Sequence, residues 1–346
     1  MAIRAIDLFC GGGGSSLGAS LAGVQMVGAL DACPLATATY ADNFPDASRN
    51  VVTRRLEPGS GPDVFKALGR VDLLLASPEC TNHSVARGSR PRCETSRRSG
   101  WLIMPFLQRL RPRWIVLENV GGMIRWDGFA EFKRALEDEG YQLRIQRVDS
   151  ADHGVPQQRR RVFIVGDRQR HPPTLEGVVP RQPASVIIDR RSGWKTSPLF
   201  KPGRAQATLD RAKAAISTLG EGIEFLIVYY GSDKGGGWQT LDRPLRTLTT
   251  LDRFGLVQWN SDGPTLRMLQ VPELKAAMGL PQSYMLDHGT RRDKVRLLGN
   301  GVAPPVMRAV VDSLVQDAAT NFISPSSSVG SLLTKIAKRP PAALPF

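Results

Sequence analysis

The sequence predicts an α/β protein: a doubly wound, mostly parallel sheet that carries a second, smaller domain. Three observations predict it. Apolar runs of strand length alternate with helical segments through the first half of the chain, which calls for a sheet covered on both faces. The alternation breaks after Gly166 in a proline-rich stretch, and shorter mixed elements follow. At 346 residues, 41% hydrophobic and 23% charged, the chain has the length for one large α/β domain with a smaller companion and the composition of a folded protein.

Taken in order, strands are expected at Ala5–Phe9, Met26–Leu30, Val71–Ala76, Trp114–Leu117, Leu143–Val148 and Val162–Val165. Helices are expected between them at Ser16–Ala22, Pro34–Asn43, Gly100–Leu110 and Phe129–Glu139, the last placing Phe129, Phe132 and Leu136 on one face. Residues 1–166 then form the first domain. Residues 167–242, with a helix at Ala205–Leu219, a strand-like run at Phe225–Tyr230 and the turn-rich GSDKGGGW, form the small one. Residues 243–320 return to complete the first, through a helical VPELKAAMG and a closing helix after Pro304-Pro305, and the serine- and proline-rich 321–346 reads as a flexible tail.

Lysine and arginine total 46 against 32 aspartates and glutamates, a net charge of +14. Arginine dominates the excess, and its planar fork suits phosphate, so the charge points to a polyanion, with a basic but non-binding surface as the alternative. The four cysteines form no C-x-x-C pair and the four histidines do not cluster, so neither a metal site nor a disulfide framework is expected. No apolar stretch approaches 18 residues, and an intracellular, reducing setting without a membrane is expected.

DLFCGGGGSSLG (Asp7–Gly18) lies between a predicted strand and a predicted helix, where glycines let a ligand approach the backbone and the amides of a helix start. No Walker lysine follows, which disfavours a phosphate-cradling loop and leaves adenosine-type ligands, a dinucleotide or an empty turn. Asp31, ending the second strand, is placed either to accept from two ribose hydroxyls or to cap the Pro34 helix.

VDLLLASPEC carries Cys80 to the carboxyl end of a buried strand, where open α/β sheets hold ligands; an inert loop cysteine is the alternative. WIVLENV delivers Glu118 to the corresponding place, where burial would raise its pKa and let it donate a proton near neutral pH, unless it only caps the Gly121-Gly122 turn. In GVPQQRRRVFIVG, alternation puts Arg159 and Arg161 on one side and Arg160 on the other, to bind a carbonyl or phosphate or simply to face solvent.

With these motifs in this order, the chain resembles the DNA cytosine-5 methyltransferase family over residues 3–316: DLFCGGGG, SPEC, ENV, the Gln157, Arg159, Arg161 triplet, RPLRTLTT and GNGVAPPV (Gly299–Val306). The resemblance implies a methyltransferase fold that binds S-adenosylmethionine, with Phe9, Gly11, Gly13, Asp31, Asn300 and Val302 around the cofactor and a target-recognition role for the small domain. It further implies that Cys80 adds to C6 of a flipped-out cytosine and that Glu118 engages N3. Arg159 and Arg161 join the catalytic set, Arg161 on the base carbonyl, and the methyl group goes to C5. Double-stranded DNA is the implied partner of a monomeric, cytoplasmic, DNA-associated chain, with room for a cognate restriction endonuclease.

The chain departs from the family's pattern in two places. Glu79 and Thr81 stand where proline and glutamine usually flank the cysteine, and a Glu79 turned inward would oppose thiolate formation. In VVTRRLE, Thr53 and Arg54 stand where the family has an acidic residue after its third strand, and Asp72 is a further candidate for the cofactor pocket. An RNA methyltransferase of the same architecture and a catalytically silent binding protein are the competing readings.

Overall fold

The computed structural model describes residues 2–80, 82–83, 91, 93–177, 179–230 and 236–320, the last four without their side chains. Thr81, most of the basic loop after Cys80 including Arg87, most of the GSDKGGGW turn and the 321–346 tail lie outside the described residues.

The large domain starts with β1 (Arg4–Leu8), α1 (Gly14–Leu21), β2 (Gln25–Asp31), α2 (Pro34–Asn43), β3 (Val51–Thr53) and β4 (Leu73–Ala76). It continues with α3 (Glu94–Arg97), α4 (Met104–Leu110), β5 (Trp114–Asn119), α5 (Phe129–Asp138), β6 (Gln142–Asp149) and β7 (Arg160–Asp167). These strands form one seven-stranded sheet in the order β3-β2-β1-β4-β5-β7-β6. All neighbours as far as β5 are parallel, and β7 and β6 close the edge antiparallel. β4 and β5 are buried along their whole length, as strands covered on both faces must be.

The six strands and three of the four helices expected from the sequence are found with small shifts of their ends. β3 is too short to register as an apolar run. The helix expected over Gly100–Leu110 is instead a 3-10 turn, Arg98–Ile103, followed by α4, because Pro105 sits where a helix begins.

The small domain is built on a five-stranded antiparallel sheet in the order β10-β9-β11-β12-β8. Its elements are β8 (Ser197–Pro198), α6 (Gln206–Leu219), β9 (Phe225–Val228), β10 (Trp238–Thr240), β11 (Phe254–Asn260) and β12 (Gly263–Met268). The sheet therefore runs past the 242/243 boundary drawn from the sequence. After β10 the chain returns to the large domain, where Leu245 bridges Gln157, and then re-enters the small sheet as β11. A boundary read from composition misses this excursion, because the pairing of β11 with β9 is a long-range backbone contact with no local signature.

The described residues close with α7 (Val271–Ala277), α8 (Arg291–Asn300) and α9 (Pro304–Thr320). A buried two-pronged pair, Arg267 to both oxygens of Glu273 at 2.7 Å, ties β12 to α7. α9 packs against α1 through glycine: a Cβ on Gly18 would meet the Cβ of Met307 and the carbonyl of Pro304, each at 2.6 Å. One on Gly14 would lie 2.2 Å from the carbonyl oxygen of Val302. The glycine run and the GNGVAPPV segment are thus two halves of one contact.

Candidate active site

A continuous cavity of 1190 Å³ opens at the carboxyl ends of the parallel strands. That is ample for two small ligands side by side, since single small-molecule pockets run to roughly 1,000 Å³. Phe9, just beyond β1, Asp31 at the end of β2, Cys80 beyond β4 and Glu118 near the end of β5 all line it. Gly11, Asn300 and Val302 line it as well.

At the β1 end, Phe9 holds a left-handed backbone (φ 58), a conformation that costs a non-glycine residue about 1–2 kcal/mol and clusters at ligand sites. Gly11 is also left-handed (φ 52), and a Cβ there would meet nothing within 4 Å, so the loop leaves open space beside its backbone. Asp31 Oδ2 accepts from the Gly11 amide at 2.9 Å and Oδ1 from the Cys33 amide at 2.8 Å. The helix cap of α2 is Cys33 rather than Asp31. Each Asp31 oxygen keeps a further lone pair for a ligand hydroxyl. An open glycine turn, a carboxylate with spare acceptors and an aromatic wall together fit an adenosine-type cofactor.

Gly13 does not line the cavity. It faces inward, where a Cβ would collide with Phe44 at 2.6 Å and crowd Tyr40 and Tyr284. Beneath it lies a buried polar chain in which Tyr40 donates to Ser16 at 2.8 Å and Ser16 to Asp7 at 2.7 Å, while Tyr284 donates to the Gly12 carbonyl. Burial pushes the Asp7 carboxyl up to about 7. Nothing local in the sequence marks Tyr284, 272 residues along the chain from Gly12, as a support for the glycine loop. Asp72 lies at the opposite end of its strand, accepting from the Arg4 amide and pairing with Arg70, away from the cavity.

At the β4–β5 end, the Cys80 thiol is pushed up by burial and by Glu118, and pulled down by Arg161 and Arg159. Burial likewise raises Glu118 against the pull of the same two arginines. The register explains how these groups meet: β7 runs antiparallel to β5 with Val162 opposite Asn119, so Arg161 falls just beyond the end of β5, on the edge where Glu118 sits. Asn119 turns back and donates to the Pro78 carbonyl at 3.1 Å, tying β5 to the segment that presents Cys80.

The arginine triplet divides its work. Arg160 is exposed and pairs with Asp149. Arg159 is 1% exposed and donates to the carbonyls of Leu248 (3.1 Å), Gly299 (2.8 Å) and Gly301 (2.8 Å). Burial, followed by Arg161, pulls it down to about 9, so it stays cationic at neutral pH. Gln157 makes the parallel link, donating to the Ala277 carbonyl and accepting from the Leu248 amide, both at 2.8 Å. Gln157 and Arg159 thus staple the returning chain to the start of β7, and Arg161 is the member whose side chain reaches Glu118.

A model of the C-5 cytosine-specific DNA methylase family matches residues 3–316. The chain belongs to that family. Over 211 residues this methylase-family chain is 34% identical to the type II methyltransferase M.AgeI of Thalassovita gelatinovora, a match covering 58% of the chain and 48%, about half, of that relative. Over 340 residues it is 24% identical to the type II methyltransferase M1.HphI of Haemophilus parahaemolyticus, covering 91% and 87%. Among solved structures, the methyltransferase EhMeth of Entamoeba histolytica superposes with a TM-score of 0.67 at 15% identity, over 92% of this chain and 99% of that one. The Dnmt2 methyltransferase of S. pombe superposes at 0.64 and 17%, over 92% and 99%. These superpositions establish the shared fold.

Proposed function

We propose that the chain methylates C5 of a flipped-out cytosine in double-stranded DNA, using S-adenosylmethionine and a transient bond from Cys80 to C6. The observation that carries this reading is that Cys80 and Glu118 share one cavity with Phe9, Gly11 and Asp31, with Arg161 against Glu118. Carbon 5 of cytosine is a weak nucleophile, and addition of the Cys80 thiolate at C6 makes it reactive. Glu118 holds a proton at N3 and so neutralises the charge that develops on the ring, while Arg161 takes the base carbonyl.

The protonation states support one another. Burial raises the Cys80 thiol and Glu118 adds to it, so a protonated Glu118 removes the charge part of that opposition and leaves Arg161 and Arg159 to act against burial in favour of the thiolate. S-adenosylmethionine, when bound, supplies the electrophilic methyl group that the activated C5 takes; Asp31 would hold its ribose and Phe9 and the Gly11 backbone its flank. Loss of the C5 proton and elimination of Cys80 restore the aromatic ring.

The test is to incubate the purified chain with radiolabelled S-adenosylmethionine and either mixed-sequence duplex DNA or RNA, and to map modified bases by sequencing. Label in 5-methylcytosine of DNA is the expected result. Label in RNA alone, or in no nucleic acid, would overturn the reading.

A further inference from the structure

Glu79, the acidic residue beside the nucleophile, has both carboxylate oxygens engaged away from the thiol. Oε2 accepts from the Ser96 hydroxyl at 2.7 Å, and Oε1 lies 3.6 Å from Arg55 Nη1. Ser96 belongs to α3, on the far side of the loop that Cys80 opens, and Arg55 follows β3 on the cofactor side. All three residues line the rim of the cavity that holds Cys80.

The same two stems are cross-linked again one step further on, where the Cys93 amide donates to Asn82 Oδ1 at 2.9 Å and Arg97 Nε to the Asn82 carbonyl at 3.4 Å. On the other side of Cys80, Pro78 is held by Asn119. Cys80 is therefore pinned from before by β5 and from beside by Glu79. A proline in place of Glu79 would stiffen the backbone but could make neither side-chain contact.

We propose that Glu79 is a positioning residue, a carboxylate latch that ties the stem of the nucleophile loop to the cofactor-side wall through Arg55 and so sets the depth of the Cys80 thiol. The latch rests on the methylation reading for its purpose, but its existence can be tested without it. Because the Arg55 pair is largely exposed, the effect of breaking it is modest, about two- to fivefold in rate.

The experiment compares wild type with Glu79→Ala, Arg55→Ala, Ser96→Ala and the Glu79/Arg55 double variant. The rate of Cys80 alkylation by iodoacetamide is followed by peptide mass spectrometry, with Cys33 in the same cavity as internal reference. Cys80 should label about two- to fivefold faster in the single variants and no faster still in the double, with Cys33 labelling and Tm unchanged. Adduct formation on duplex DNA carrying 5-fluorocytosine should slow by a similar factor. Cys80 labelling equal to wild type in Glu79→Ala, or a double variant showing the product of the two single effects, overturns the latch. If labelling responds as expected while wild type forms no adduct, the latch stands and the methylation reading falls.

Discussion

Nε of Arg161 lies 3.1 Å from Oε1 of Glu118, yet the two do not align as a hydrogen bond, and Oε1 is buried without a hydrogen-bond partner among the described residues. The arginine therefore offsets only part of what burial costs the carboxylate, and the net effect is a raised pKa. A carboxyl group raised in the folded state is best tolerated below its unfolded value and loses stability as pH climbs above it. Glu118→Gln should consequently melt higher than wild type at pH 7 and above, with the advantage closing as pH falls towards the ordinary glutamate value of 4.5. The same variant should methylate about 10²- to 10⁴-fold more slowly, the range for losing a general acid. Thermal melts across pH beside single-turnover assays would check both, and a variant that is both less stable at pH 8 and fully active would refute the assignment.

Cys80→Ala should abolish the bond to DNA carrying 5-fluorocytosine, where the fluorine blocks loss from C5 and leaves the protein attached through denaturing electrophoresis. Wild type should show the shifted band. An adduct that persists in Cys80→Ala and disappears in Cys10→Ala or Cys93→Ala would move the nucleophile elsewhere.

Cofactor affinity should depend on Asp31. Asp31→Ala removes the carboxylate that would pair with a ribose and that organises the Gly11 and Cys33 amides, and a fall of about 10- to 100-fold is expected for loss of a charged hydrogen-bond acceptor. Gly11→Val adds branching at a left-handed position and fills the open space, so it should abolish binding. No cluster of three or more metal-ligating side chains occurs among the described residues. Calorimetry with S-adenosylmethionine in a chelator should match calorimetry without it. Affinity lost on chelation, or kept in both variants, would count against the site.

The proposed DNA-reading role of the small domain should show in its salt dependence. Of its basic residues, Arg181 pairs with Asp152, Arg190 with Glu224, and Arg204 donates to the Ser197 hydroxyl and the Pro198 and Leu199 carbonyls. Arg191, Lys195 and Lys201 are exposed and make no ion pair with a described residue. Replacing these three with glutamine should weaken DNA binding and flatten the log–log salt plot by about 0.9 for each phosphate no longer neutralised, as read by fluorescence anisotropy. Arg204→Gln should instead lower Tm. An unchanged salt slope in the triple variant would make this surface a bystander.

Asp7 supplies a stability test independent of catalysis. Its carboxyl is fully buried and raised from 3.8 to about 7, so folding is penalised increasingly as pH rises through that interval, by about 1.4 kcal/mol per pH unit. Asp7→Asn can still accept from Ser16 and escapes the charge. It should be more stable than wild type at pH 8, by an amount on the order of a few kcal/mol, and indistinguishable near pH 4. Denaturant melts at both pH values decide it, and a stability difference that does not vary with pH would sink it.

The amino-acid sequence by itself determined the layered sheet and the order of its motifs. Buried runs such as Leu73–Ala76 and Trp114–Leu117, alternating with helical segments, read as interior strands, and the carboxyl ends of the parallel strands then bring Asp31, Cys80 and Glu118 to one edge. Each of those residues announces itself locally, by residue type at a strand end. The tertiary structure decided what depends on contacts between distant segments. It turned Arg159 onto the carbonyls of the returning chain, Gly13 towards Phe44 and Tyr284, Glu79 towards Arg55 and Ser96, and β11 into the small sheet beyond the expected boundary. The physical reason is the same in every case. Strand periodicity is a short-range consequence of side-chain burial and is written in consecutive residues, whereas the partner of a buried guanidinium, a glycine's missing Cβ or an exposed carboxylate is set by which backbone or side chain arrives from far along the chain.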